Sequence, residues 1–151
     1  MIRYIIFVKA DKTRLTQVIS NLLSNAIKFT ERGTITITNS TATVVVEENK
    51  QRQEVAIVSI NDTGKGIDSE IMPRLFSKFA TKANKGTGIG LGLFICKSII
   101  EAHGGKIWAE NNIDGKGGKG AGGSTFSFSL PISKENNIIA DSKVNQPMTK
   151  Q

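Results

Sequence analysis

From Leu15 the apolar residues fall at positions 15, 18, 19, 22, 23 and 26, the spacing of one helix face. From Thr34 to Thr38 isoleucine alternates with threonine, the spacing of a half-buried strand. Asp11 precedes the helical pattern as a natural N-cap, with Arg14 and Leu15 opening the helix and Gly33 closing the region. Upstream, Tyr4–Val8 predicts a strand. Downstream, a second β-rich run, Thr41–Val46, leads through a polar hairpin loop at Glu47–Glu54 into a returning strand, Val55–Ile60. A short helix is expected around Ser69–Leu75, limited by Pro73. Phe79–Gly90 has no period and predicts a mobile loop. Leu91–Ala102 predicts a helix closed by His103-Gly104-Gly105, a C-cap signature. Lys106–Glu110 and Thr125–Leu130 predict the last two strands, around a glycine-lysine loop at Asp114–Gly123. These elements suggest one domain over residues 1–133 and a polar, disordered tail over 134–151.

Beside the apolar face of the first helix runs a polar one, with Gln17, Asn21, Asn25 and Lys28 at helical spacing. A lone asparagine there would be a solvated residue, but two in phase followed by a lysine suggest a site. Magnesium prefers oxygen ligands and keeps most of its waters, so one neutral amide beside a polyphosphate suits it; Asn25 is the candidate ligand and Asn21 its support. Asp62 stands where an apolar strand breaks into a glycine turn. A carboxylate there can accept from an exocyclic amine, and Gly64 and Gly66 let backbone approach a flat ring. Alone, this would be an ordinary Asp-x-Gly turn. Gly86, Gly88, Gly90 and Gly92 lead into the Leu91 helix, where open backbone amides can bind phosphate. The alternating glycines fit neither a dinucleotide fingerprint nor a P-loop, and the protein-kinase signatures are absent.

The net charge of +7 raises the question of nucleic acid, but the lysines are scattered and lack aromatic partners. Lys28, Lys65, Lys82 and Lys85 fall in or beside the glycine and asparagine blocks, where they would rim a polyanionic nucleotide. Nucleic-acid binding is therefore not expected. The single cysteine, Cys96, excludes an intrachain disulfide, suits a reducing compartment and reads as a core residue. The N-terminal apolar run is too short for a membrane span.

Taken together and in order, the blocks resemble the catalytic and ATP-binding domain of sensor histidine kinases, within the Bergerat-fold superfamily that includes DNA gyrase, MutL and the heat-shock chaperone ATPases. Asn21–Thr30 resembles the N box and Asp62–Ile67 the first glycine box. Leu75–Phe79 is similar to the F box, Gly86–Leu93 to the second glycine box and Gly123–Phe126 to the last. The resemblance implies an α/β (α+β) two-layer sandwich, a mixed sheet with helices on one face. It implies ATP and Mg2+ as cofactors: Asn25 on the metal, Asn21 and Lys28 on phosphate or metal, and Asp62 on the adenine amino group. Gly64, Gly66 and Ile67 would pack on the base, with Thr125 reaching the adenine side. The loop from Phe79 to Gly90, with Thr81, Lys82, Gly86 and Thr87, would be an ATP lid closing through Gly88, Gly90, Leu91 and Gly92.

Hydrolytic relatives in the superfamily place a glutamate one turn before the metal-binding asparagine; here that position is Asn21, which cannot serve as a general base. The resemblance thus implies phosphoryl transfer to an outside nucleophile. His103 is the only histidine and reads as a helix cap, so the acceptor histidine is expected on a separate dimerisation domain of the parent kinase. A response regulator would act downstream. The isolated domain is expected to be a cytoplasmic monomer without direct membrane contact, and not to autophosphorylate. Two alternatives stay open: an anti-sigma-factor-type serine kinase, and an ATP-sensing module that transfers nothing.

Overall fold

The computed structural model describes residues 5–80, 90–113 and 121–134. Two helices cover one face of a four-stranded sheet. Helix α1 (Lys12–Phe29) starts at Asp11, whose Oδ1 accepts from the Arg14 N–H at 2.9 Å. A cap of this kind contributes about 1 kcal/mol. The apolar stripe then does what its spacing implies: Val18, Leu22 and Ala26 are buried, while Leu15, Ile19 and Leu23 flank them.

Strands β1 (Ile35–Val45) and β2 (Arg52–Asp62) form a hairpin in unbroken register, from Ile35 opposite Asp62 to Val45 opposite Arg52. The two β-rich runs expected on either side of Asn39-Ser40 are therefore one strand. Local propensity there yields to the continuous ladder with β2. A 3-10 turn, Met72–Arg74, replaces the longer helix expected around Ser69–Leu75, with Pro73 inside it. Helix α2 (Gly92–Ala102) ends in a Schellman arrangement. The Gly104 N–H donates to the Glu101 carbonyl and the Gly105 N–H to that of Ile100, both at 3.0 Å. Gly104, at φ +75°, supplies the left-handed residue this requires.

Strands β3 (Lys106–Ile113) and β4 (Ala121–Pro131) complete the sheet in the order β1-β2-β4-β3. Ala121–Gly123, expected in a loop, belong to β4; residues 114–120 lie outside the described residues. The two-layer sandwich is as expected. The mixed sheet is not: every described pairing is antiparallel. The chain passes from β2 through α2 to a parallel β3, but β4 inserts between them, so the two parallel strands never touch. The strand expected at Tyr4–Val8 reduces to one bridge, Val8 to Ile132, with Tyr4 outside the described residues. The pairing of β4 with β3 runs as far as Ser129, so only the residues after it are left to bridge the N-terminal segment.

The core lies between the layers. Phe126, Phe128 and Leu130 of β4 and Ile60 of β2 meet Val18, Leu22 and Ala26 of α1 and Cys96 and Ile100 of α2. Phe76 closes one end, edge-on to Phe126 at 6.5 Å between ring centres.

Candidate functional site

Period-2 alternation in β2 puts Asp62 on the same face as Ile60, so its carboxylate enters the helix-covered side of the sheet. It is 2% exposed. Oδ1 accepts from the backbone N–H of Gly64 at 2.9 Å and of Ser124 at 3.3 Å; Oδ2 accepts from the Ser124 hydroxyl at 2.6 Å. Since each carboxylate oxygen offers two lone-pair directions, Oδ2 keeps one acceptor position in reserve.

The turn that follows is pressed against the end of α1. A Cβ on Gly64 would meet the Phe29 carbonyl oxygen at 2.4 Å and Thr30 Oγ1 at 2.8 Å, so only glycine fits. Thr30 Oγ1 is buried and has no hydrogen-bond partner among the described residues. A spare carboxylate acceptor and an unpaired buried hydroxyl thus stand on either side of Gly64, polar groups of the kind that meet the donor and acceptor edge of a planar ring.

Back along α1 from Thr30 stand the two asparagines. Asn21 and Asn25 are half-buried, and Lys28 is exposed. The Asn21 Nδ2 group donates to Cys96 Sγ at 3.6 Å, which turns the asparagine face toward the first turns of α2. Asn25 has no hydrogen-bond partner among the described residues. The stretch from Asn21 to Phe29 rises about 12 Å, enough to run beside a base, a sugar and a phosphate chain. The ammonium groups of Lys28 and Lys65 lie 5.4 and 5.1 Å from the Phe29 ring centre. No group of three or more His, Cys, Asp or Glu side chains that could hold a metal occurs among the described residues. A divalent ion here would thus take an amide oxygen and ligand oxygens, a donor set that suits magnesium.

At the other end, α2 offers its N-terminus. Its first helical bond is donated by Ile95 to the Leu91 carbonyl, so the amides of Gly92, Leu93 and Phe94 have no acceptor within the helix. No acidic residue stands in that turn to offset the dipole. Gly90 and Leu91 lead into it, and the Phe79 N–H donates to the Gly90 carbonyl at 3.0 Å. Phe79 itself is exposed. Thr81, Lys82, Gly86, Thr87 and Gly88 lie outside the described residues. Burial pushes the Cys96 thiol pKa up, partly countered by the Asn21 hydrogen bond, which keeps it a thiol and a core side chain.

Thr125, expected on the adenine side, points to the sheet face opposite the Asp62 carboxylate. There its hydroxyl accepts from Asn61 Nδ2 at 2.8 Å and donates to Asn112 Oδ1 at 2.6 Å. Ser124, one residue earlier, holds Asp62 instead. The alternation of β4 contained this signal, since residue 124 shares the parity of the core residues Phe126 and Phe128.

The profile of the family described as "Histidine kinase-, DNA gyrase B-, and HSP90-like ATPase" matches residues 10–134. The chain belongs to this family. It is therefore an ATP-binding domain of the histidine-kinase ATPase type, and its relatives are sensor kinases. It is 43% identical over 131 residues to the sensor protein KdpD of Clostridium acetobutylicum, covering 84% of this chain and 13% of that protein. It is 39% identical over 132 residues to the sensor protein FixL of Bradyrhizobium diazoefficiens, covering 85% of this chain and 23% of that protein. The chain thus spans under a quarter of the length of these two relatives. The fold is similar to the catalytic domain of the histidine kinase ThkA, at a TM-score of 0.61 and 38% identity, covering 82% of this chain and 70% of that one. Full-length ShkA in complex with AMPPNP matches at a TM-score of 0.61 and 29% identity, covering 85% of this chain and 24% of that one. No helix among the described residues is long and apolar enough to cross a membrane.

Proposed function

We propose that this domain binds Mg-ATP and donates the γ-phosphoryl group to a histidine on a separate dimerisation domain of a larger sensor kinase, in two-component signalling. The observation that carries the reading is the buried Asp62 carboxylate. It is held by Ser124 and Gly64 with an acceptor position in reserve, beside the unpaired Thr30 hydroxyl. Bound Mg-ATP would supply the electrophilic phosphorus and part of the charge neutralisation. Asp62 Oδ2 accepts from the adenine amino group, and Gly64, Gly66 and Ile67 pack along the base. Asn25 gives its amide oxygen to magnesium, with Asn21 beside it. Lys28 and the α2 amides from Leu91 and Gly92 onward, with Gly90, take the phosphates. Phe79, Thr81, Lys82, Gly86, Thr87 and Gly88 belong to the proposed lid, and the domain itself covers residues 1–133.

Asn21 carries an amide that already donates to Cys96, and an amide takes no proton from water. The domain therefore holds ATP with little hydrolysis until an acceptor docks. The AMPPNP complex of ShkA supports a nucleotide as ligand, and the sensor-kinase relatives support a parent with further domains; a response regulator downstream completes the proposal. The proposed setting is the cytoplasmic side of that parent, with the isolated domain a monomer.

The test is in two steps. Calorimetry should show uptake of AMPPNP that depends on magnesium; no uptake by a folded sample refutes the reading. Mixing with a histidine-bearing dimerisation domain and labelled ATP should then give a phosphate that is stable to base and labile to acid. An acid-stable label would mark a serine kinase, and ATP binding without any transfer would mark a sensing module.

A further inference from the structure

The turn that follows Asp62 is held from the far edge of the sheet by two adjacent asparagines that the reading above does not use. Asn111 Oδ1 accepts from the Ile67 N–H at 2.7 Å, and its Nδ2 donates to the Ile67 carbonyl at 2.8 Å. One carboxamide thus closes both backbone groups of one residue, as a paired strand would. Asn112 Nδ2 donates to the backbone carbonyl of Asp62 at 3.0 Å. Behind it the hydrogen bonds run on without a break: Thr125 donates to Asn112 and Asn61 to Thr125.

Consecutive residues of a regular strand point to opposite faces, so Asn111 and Asn112 could not ordinarily serve one loop from a straight β3. The pairing of β3 with β4 slips between Asn111 and Ile113, and such an irregularity re-aims side chains at a strand end. As a result Asn111 grips the turn at Ile67, and Asn112 grips it at Asp62 from the face that carries Thr125. The two ends of the turn, and Gly64 and Gly66 between them, are fixed relative to the Asp62 carboxylate.

We propose that Asn111 and Asn112 are positioning residues for base recognition: through Ile67 and the Asp62 backbone they set the aim of the carboxylate at an exocyclic amine. Thr125 acts in the same relay and not on the base. The proposal rests on the ATP reading given above, and its measurements separate the two.

The experiment measures affinities of the whole chain for Mg-ATP and Mg-ITP, the latter lacking the exocyclic amine, by competition with a fluorescent ATP analogue. Wild type should favour ATP. Asn111→Ala and Asn112→Ala should each weaken ATP by about three- to tenfold, the worth of about one hydrogen bond, and weaken ITP by clearly less, since ITP shares only the packing on the turn. Exchange of the Ile67 amide should quicken in Asn111→Ala. The melting temperature without nucleotide should hardly move, because Asn111 is exposed and outside the core. Equal loss of both nucleotides, or loss of neither, overturns the proposal. Should Asn111→Ala fail to fold, Asn111→Asp keeps the acceptor for the Ile67 N–H and is read the same way. Wild type that binds neither nucleotide sinks the ATP reading, and this proposal with it.

Discussion

Asp62→Asn is the most informative single change, because it alters one atom and leaves the shape. In the native chain Oδ1 serves two backbone amides and Oδ2 one hydroxyl. Asparagine can keep its oxygen toward Gly64 and Ser124 and turn its amide toward the Ser124 hydroxyl, which rotates to accept. Both backbone amides stay satisfied, but the Ser124 hydroxyl proton loses its acceptor, and with the lost charge assistance the change costs about 1–3 kcal/mol of stability. Alanine would instead strand three donors at about 1–3 kcal/mol each, which confounds binding with unfolding. The ligand feels the asparagine differently. Where Oδ2 offered a lone pair there is now an N–H, so an adenine amine meets a donor. Losing a charge-assisted bond worth about 1.5–3 kcal/mol weakens Mg-ATP by roughly ten- to a hundredfold. A base with a carbonyl in place of the amine should lose less, so preference moves from ATP toward GTP. Calorimetry with both nucleotides, beside a thermal melt, reads each part. A folded Asp62→Asn protein that binds ATP as wild type does would show that the base is held elsewhere.

Asn25→Ala should weaken AMPPNP in magnesium by about tenfold and leave its weaker, magnesium-free binding unchanged, since only the metal contact is removed; equal affinities in magnesium would remove Asn25 from the site. Gly64→Ala must displace the Phe29 carbonyl, 2.4 Å from the new methyl, and should cost about 1–3 kcal/mol in a urea melt and abolish ATP binding. An unchanged melt would mean the turn is looser than its contacts indicate. Cys96 tests linkage. Its folded thiol pKa is raised by burial, so its contribution to stability is full below the unfolded thiol pKa and is lost as pH rises toward the folded value. Urea midpoints should fall on going from pH 8 to alkaline conditions more steeply in wild type than in Cys96→Ala, and parallel falls would contradict the shift.

Helices were the most legible part of this chain. The six-residue apolar stripe of α1, its aspartate cap and the glycine pair after α2 are signals within one turn of the residues they govern, and each element formed where its pattern pointed. Strand limits were less so. Asn39-Ser40 looks like a break to any local reading, and only pairing across to Val58 and Ile57 carries β1 through it. The asparagine stripe and the Asp62 turn could be named because the chemistry they suit depends on residue type and short spacing.

What the linear chain determined by itself is therefore local: the periods of its helices, the caps that bound them, and which side chains could serve a nucleotide. The tertiary structure alone decided which of those side chains meet. Ser124 rather than Thr125 supports Asp62, because β4 docks beside β2 in a register that puts residue 124 on the helix side. The sheet is antiparallel because β4 inserts between β2 and β3. Asn111 reaches Ile67 across 44 positions of chain, a contact with no local trace because it follows from the packing of two sheet edges. Pairing register and strand order are set by the summed burial of the whole core, and no short window of sequence contains that sum.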